Sequence, residues 1–318
     1  MSPNIALFIG LILLFFGGEL LVRGSISLAL KMRISSLVVG MTVVSFATSA
    51  PELFVSLQAV LNGSNDIAFG NVIGSNIANI TLVLGLTALI FRVKISEQTA
   101  TLNYPVLLLA SLVFGAVMYY FEGIPQEVGF LFIFLLLVFT WLLISKSRKE
   151  NLTLANDEGE LLEEASSNSL FKTLGFFLAG IFLLKFGADF LVEGTIAIAK
   201  KFEISERVIA VTVVAIGTSI PELATSIVAA LKKEHNLAVG NLIGSNIFNI
   251  LAVLGVVASV KEINIADSAI LSFDYVWMII ITFILGLFIY SFSKQYISRV
   301  EGFLLLLIYI SYLYFSIY

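Results

Sequence analysis

Thr48-Ser49-Ala50-Pro51-Glu52-Leu53 recurs as Thr218-Ser219-Ile220-Pro221-Glu222-Leu223, and the second occurrence decides how the first is read. Working outward, Gly70-Asn71-Val72-Ile73-Gly74-Ser75-Asn76-Ile77-Ala78-Asn79 recurs as Gly240-Asn241-Leu242-Ile243-Gly244-Ser245-Asn246-Ile247-Phe248-Asn249. Upstream, Gly17, Glu19 and Gly24 stand opposite Gly187, Asp189 and Gly194. Every pair is 170 positions apart, a register kept from residue 17 to residue 85 without insertion. The chain therefore carries two copies of one structural unit.

The composition names the solvent. Of 318 residues, 59% are hydrophobic and 13% charged, and the mean hydropathy is +1.03. Apolar runs of bilayer-spanning length recur along the whole chain, which predicts an all-α membrane protein. Ten transmembrane helices are read at Ile5–Leu30, Leu37–Leu61, Ile67–Phe91, Tyr104–Phe121, Val128–Ile144, Thr173–Ala199, Val208–Leu231, Leu237–Val260, Ala269–Phe292 and Gly302–Ile317. The segments are too long for barrel strands and lack period-two alternation. The first lacks a basic leader and carries Glu19 and Arg23, so it reads as a true span and not a cleaved signal. Cysteine is absent, which excludes disulfides and thiolate metal sites.

Lysine and arginine set the expected orientation. One set of alternate loops holds Lys31, Arg33, Arg92, Lys94, Lys146, Arg148, Lys149, Lys172, Lys232, Lys233, Lys294 and Arg299; the other holds Lys200, Lys201, Arg207 and Lys261. Both termini are thus expected outside, with the central loop cytoplasmic. The halves are 1–146 and 171–318, joined by a polar linker over 147–170. Five spans per half is an odd number, so the second copy enters the bilayer from the opposite side. Two inverted-topology five-helix repeats are typical of alternating-access transporters with a site near the midplane. The linker carries Asp157, Glu158, Glu160, Glu163 and Glu164, but without the ligand spacing of an EF-hand, and reads as solvated.

Glu52 and Glu222 fall midway along the second and seventh spans. An unpaired carboxylate at that depth costs at least about 2.5–3.5 kcal/mol, so it marks a functional site by default. One such residue could be a protonated structural carboxyl; two in the same Thr-Ser-x-Pro-Glu frame argue for a site. Pro51 has no N–H for the carbonyl of Ala47, nor Pro221 for that of Gly217, so each helix should kink beside its glutamate. Bare carbonyls are tolerated in lipid only where they line a cavity or meet a partner. Thr48 shares a helix face with Glu52, and Thr218 with Glu222. Asn71, Ser75 and Asn79 form one polar stripe, and Asn241, Ser245 and Asn249 its copy. Gly70 with Gly74, and Gly240 with Gly244, should let a neighbouring backbone approach. Asn71, Asn76, Asn241 and Asn246 could equally bridge helices, whereas Ser75, Asn79, Ser245 and Asn249 are expected to point inward.

Carboxylates, hydroxyls, amide oxygens and freed carbonyls, with no embedded His or Cys, make an all-oxygen donor set. That suits Ca²⁺ or Na⁺ and not zinc or copper. Two carboxylates a few ångströms apart repel by roughly 4 kcal/mol at an effective dielectric of 20. An empty site of charge −2 should resist occlusion, while one Ca²⁺, or two or more Na⁺, would neutralise it. Competition of two ions for one such site yields obligatory exchange. Protons are the rival counter-ion, because paired carboxylates raise one another's pKa.

TSAPE with GNVIGSNIAN, repeated as TSIPE with GNLIGSNIFN, resembles the two alpha-repeats of the calcium/cation antiporter superfamily, nearest its prokaryotic sodium/calcium exchanger branch. The resemblance implies Glu52 and Glu222 as principal Ca²⁺ and Na⁺ ligands, beside Thr48, Ser49, Thr218, Ser219, Ser75, Ser245, Asn79 and Asn249. It also implies backbone carbonyls from the positions of Ser45 and Ala215, and first and sixth helices that slide against a fixed bundle. Ala47 stands where the motif usually has glycine, and Asn249 where some relatives have aspartate. The acidic residue common in place of Gly-Ser-Asn in the proton-coupled branch is not here. Sodium is the favoured counter-ion, with H⁺/Ca²⁺ or other cation/Ca²⁺ exchange as the alternative.

Other charges read more quietly. Glu19 with Arg23, and Lys185 with Asp189 and Glu193, are spaced to pair along one helix face. His235 is expected solvated in a loop, and Asp274 to snorkel from a helix end. An enzyme is disfavoured, because Ser49 and Ser219 have no His or Lys on the same turn; a channel has no need of two symmetry-related acids. No cofactor or nucleic-acid partner is called for. The expected partners are the ions and the bilayer, and the expected functional unit is a monomer.

Overall fold

The computed structural model describes residues 2–151, 169–201, 215–292 and 296–317. The acidic part of the linker and the beginning of the seventh expected span lie outside those residues. In chain order the helices are α1 (Pro3–Met32), α2 (Ser36–Thr48), α3 (Ala50–Leu61), α4 (Asn65–Ile90), α5 (Thr99–Phe121), α6 (Gln126–Asn151), α7 (Leu170–Lys201), α8 (Ala215–Thr218), α9 (Ile220–Leu231), α10 (His235–Val260), α11 (Ile270–Tyr290) and α12 (Arg299–Ile317). Eight are long and apolar enough to cross a membrane, and α2 with α3 makes a ninth crossing bent by 43°. The seventh expected span is seen only as α8 and α9. The protein is an integral, multi-pass membrane protein.

Helix ends follow local chemistry. Pro3 opens α1 where a missing N–H does no harm, and Arg33 in the left-handed region (φ 55°) closes it. Ser298 and Glu301 form a reciprocal cap on α12: the Ser298 N–H donates to Glu301 Oε2 (2.6 Å) and the Glu301 N–H to Ser298 Oγ (3.3 Å). Apolar side chains on α1, α6, α7 and α12, such as Phe8, Trp141, Phe182 and Phe303, are exposed and suited to acyl chains. The centre is made by α4 and α10, 72% and 78% buried along their spans against 22–39% for the other full spans.

The long pair α1 and α7 packs antiparallel through glycines at seven-residue spacing, Gly10, Gly17 and Gly24 against Gly180, Gly187 and Gly194. A methyl group on Gly17 would lie 2.7 Å from the Leu184 nitrogen, and one on Gly180 2.6 Å from the Leu21 nitrogen. The two backbones therefore touch, as small-residue membrane interfaces allow.

Contacts between the halves come in exchanged pairs. The Asn76 amide donates to the Asn246 carbonyl (3.3 Å), and the Asn246 amide to the Asn76 carbonyl (3.4 Å). Tyr104 OH donates to the Thr282 carbonyl (3.1 Å), while Tyr275 OH donates to the Ser111 carbonyl (3.2 Å). Tyr104 packs on Gly286 and Tyr275 on Gly115, places no other residue could leave free. Tyr104 and Tyr275, like Gly115 and Gly286, are 171 positions apart, so the correspondence continues past residue 85 with one inserted residue. Short antiparallel ribbons are exchanged too: β1 (Val93–Lys94) pairs with β4 (Tyr296–Ile297), and β2 (Gly123–Ile124) with β3 (Ile263–Asn264).

Two quiet expectations need correction. His235 is the first residue of α10, partly buried with Nδ1 unpartnered, because the helix begins earlier than the apolar run. Asp274 is half-buried and bonded within the protein: it accepts a hydrogen bond from Tyr312 OH (3.0 Å), whose ring packs on Phe273 and Trp277. Glu19 pairs with Arg23 as read (2.7 Å), and Lys185 with Asp189 (2.8 Å). Glu19 also meets Lys232 at the end of α9 (2.7 Å), a contact that sequence spacing within one helix cannot reveal.

The glycine seam makes a test. Gly180→Val should destabilise the protein by about 1–3 kcal/mol, the usual range for overpacking. Gly175→Val, on the same helix with nothing within 4 Å, should be tolerated. Thermal unfolding in detergent distinguishes them, and equal melting temperatures would contradict the seam.

Candidate cation site

The site begins with two prolines. Pro51 and Pro221 sit in the first turns of α3 and α9, and each preceding helix ends one residue before a break at Ser49 (φ −85°, ψ 3°) or Ser219 (φ −90°, ψ 2°). Neither glutamate therefore lies in the middle of a continuous helix. Glu52 and Glu222 occupy the first turn of a new one, where unpaired N–H groups and the helix dipole favour negative charge.

Ser49-x-x-Glu52 and Ser219-x-x-Glu222 have the sequence of a capping box, in which serine and glutamate satisfy the helix start reciprocally. Here they make no such bonds. Ser49 Oγ, Ser219 Oγ and all four carboxylate oxygens of Glu52 and Glu222 are buried without a protein hydrogen-bond partner. Both amide atoms of Asn79 and the Oδ1 of Asn249 are in the same condition. Both glutamates are 0% exposed. A buried polar atom without a partner costs about 1–3 kcal/mol, and more when charged, so such a concentration points to a polar or ionic occupant.

The two halves meet around these oxygens. Thr48 Oγ1 lies 3.4 Å from Ser245 Oγ, and Ser75 Oγ lies 3.4 Å from Thr218 Oγ1, another exchanged pair. The Ser75 hydroxyl stands beside the Glu52 carboxyl and Thr48 beside that of Glu222, short of hydrogen-bond geometry, and the two carboxyls lie within electrostatic range of each other. Asn79 and Asn249 each open a π-helical stretch, Asn79–Val83 and Asn249–Leu254. Such widened turns recur at functional sites. Among the described residues no three His, Cys, Asp or Glu side chains cluster as metal ligands. The donors are two carboxylates and neutral oxygens, suited to a hard cation.

All predicted site side chains whose burial is described are buried, apart from half-buried Thr218. Ser45 is buried, and its carbonyl also accepts the Ser49 N–H (2.9 Å). Ala215 is the first described residue of α8, and its side chain lies outside the description. The asparagines left open by sequence now divide. Asn76 and Asn246 bridge the halves. The Asn71 amide ties α4 to the Glu52 carbonyl (3.2 Å) and Ser56 Oγ (3.0 Å). Asn241 Oδ1 accepts from Thr48 (3.2 Å), so it touches a predicted ligand. The paired-glycine expectation is met at Gly240 and Gly244, which press on Leu37, Met41 and Ser45; among the described residues nothing lies within 4 Å of Gly70 or Gly74, and the counterpart of α2 at 206–214 is outside the description.

A multi-pass bundle with broken helices and an oxygen-lined centre is the build of an ion transporter, and similarity to known proteins agrees. The family described as sodium/calcium exchanger protein matches residues 4–145 and 172–318. The chain is 36% identical to the putative antiporter CaxA of Alkalimonas amylolytica over 98% of this chain and 97% of that one. It is 29% identical to the sodium/calcium exchanger MaX1 of Methanosarcina acetivorans, covering 96% of each. A solved structure of the sodium-calcium exchanger NCX_Mj, soaked with Na⁺ and Ca²⁺, superposes with a TM-score of 0.80 at 29% identity over 98% of both chains. This is a transmembrane cation antiporter. The chain belongs to the sodium/calcium exchanger family.

The break can be tested directly. Pro51→Ala restores a donor for the Ala47 carbonyl and favours a straight helix. It should leave or raise thermal stability yet weaken Ca²⁺ binding at least about tenfold, or 1.4 kcal/mol. Calorimetric titration reads this, and unchanged affinity would show that the bend does not shape the site.

Proposed function

We propose that this protein exchanges Na⁺ for Ca²⁺ across a prokaryotic plasma membrane by alternating access, through one central site shared by Glu52 and Glu222. The single observation that carries the reading is the complete burial of both carboxylates, one from each half and within electrostatic range of each other, without a protein hydrogen-bond partner. The remaining proposed donors are Thr48, Ser49, Ser75, Asn79, Thr218, Ser219, Ser245 and Asn249, with the carbonyls of Ser45 and Ala215.

One Ca²⁺ between the carboxylates cancels a charge of −2, and so does a pair of Na⁺. Two like charges about 4 Å apart would repel by roughly 4 kcal/mol at an effective dielectric of 20, the scale of repulsion expected in the empty site. Occupied states reorient and the empty one does not, which couples the two fluxes. The exchanged contacts support two inverted five-helix repeats, the first ending near residue 146 and the second starting near 171; the beginning of the seventh expected span falls outside the described residues. The loop charges support termini outside and the linker inside. The names of MaX1 and NCX_Mj support sodium as counter-ion, and the neutral Asn249 leaves two carboxylates, not three, to be neutralised.

Vesicle flux tests the assignment. Proteoliposomes loaded with Na⁺ and diluted into Na⁺-free medium should take up radiolabelled Ca²⁺, while a pH gradient alone should not drive uptake. Uptake driven only by the pH gradient would replace the sodium reading with H⁺/Ca²⁺ exchange. Glu52→Gln or Glu222→Gln should reduce uptake by roughly 10²–10³-fold, since removing one buried charge partner costs about 3–5 kcal/mol.

A further inference from the structure

Most of the proposed donors are neutral dipoles, and a dipole serves a cation only with its oxygen turned inward. Beside two empty carboxylates the preference reverses, because hydroxyl and amide hydrogens are drawn to negative oxygens. A site prepared for a cation must therefore hold its neutral ligands the other way round. Two asparagines that are not among the proposed ligands do this for Asn249 and Thr48.

The first is Asn76, buried on α4. Its Nδ2 donates to the Asn246 carbonyl (3.3 Å), with Met278 Sδ at 3.8 Å. A backbone carbonyl only accepts, so this bond fixes which way the Asn76 amide faces. Its Oδ1 then accepts from Asn249 Nδ2 (3.1 Å). Were the Asn249 amide turned over, two oxygens would meet there instead. Asn249 Oδ1 is thereby committed to the opposite side, where it is buried without a protein partner. The second is Asn241, fully buried on α10. Its Oδ1 accepts from Thr48 Oγ1 at 3.2 Å, nearer than the Ser45 carbonyl or Ser245 Oγ, both at 3.4 Å. With that hydrogen drawn to Asn241, the lone pairs of Thr48 Oγ1 are left for an ion beside Glu222. Asn79 is not held in this way: neither of its amide atoms has a partner.

We infer that Asn76 and Asn241 are positioning residues that turn the oxygens of Asn249 and Thr48 toward the cation. This rests on the proposed roles of Asn249 and Thr48 as ligands. Neither asparagine touches the ion, so each acts only through the group it holds. Hydrogen-bond partners that orient metal ligands typically contribute about ten- to a hundredfold in affinity.

Paired substitutions test this, read by calorimetric titration of Ca²⁺ into the full chain in detergent. Asn241→Leu should weaken Ca²⁺ binding about tenfold in the otherwise unchanged protein. With Thr48→Val already present it should weaken binding by less than about twofold, because the hydroxyl it positions is gone. Asn76→Leu should behave likewise without and with Asn249→Ala. The two pairs are independent, so if losing the Asn76 bridge to the Asn246 carbonyl prevents folding, the Asn241 pair decides. A loss of equal size whether or not the positioned group is present means that the asparagines act through packing alone, and it overturns the inference. Unchanged affinity in Asn241→Leu and Asn76→Leu, or in Thr48→Val and Asn249→Ala, overturns it too. In those cases loss of binding in Glu52→Gln and Glu222→Gln still upholds the two-carboxylate site. Ca²⁺ binding that survives both glutamate substitutions removes that site, and the positioning with it.

Discussion

Two carboxylates that the protein itself leaves unsatisfied govern this structure. Glu52 and Glu222 are wholly buried, and no side chain or backbone donor completes them. Nearly every local irregularity near them makes that condition tolerable. The prolines stop α2 and α8, so that each glutamate begins a helix at its positive end. Serines that could cap those helices stay uncommitted. Hydroxyls from the opposite half complete the ring, and π turns start at Asn79 and Asn249. Local rules are broken together at one place, as expected where stability yields to function.

The second constraint is the exchange of contacts between halves. Asn76 with Asn246, Tyr104 on Gly286 with Tyr275 on Gly115, and the threonine–serine pairs each have a partner made by swapping the copies. Packing by small residues serves different ends in different places. Between α1 and α7 the glycines join two helices along their length. Between α2 and α10 they let the broken second span lie close against a central helix.

Much of this was legible in the sequence because a repeat tests itself. A glutamate in an apolar run is ambiguous, but the same glutamate in the same frame 170 residues later is not. The buried oxygens gathered around the glutamates were readable from the frame. Helix positions were readable from hydropathy, with ends misplaced where polar residues such as His235 and Arg299 are helical. Less was readable wherever the cause is tertiary. The bond from Asn241 to Thr48 joins residues 193 apart, and nothing local marks it. The uninterrupted register ends at residue 85, because one inserted residue shifts the tyrosine pair to a separation of 171. The capping box misleads in an instructive way: the pattern is present, yet both of its side chains are withheld from the cap.

The central claim is that one cation is held jointly by both carboxylates, and calorimetric titration of Ca²⁺ into purified protein tests it most directly. The account predicts one high-affinity Ca²⁺ per chain, displaced by Na⁺, and lost when either Glu52 or Glu222 alone becomes glutamine. High-affinity binding that survives either single substitution would contradict it.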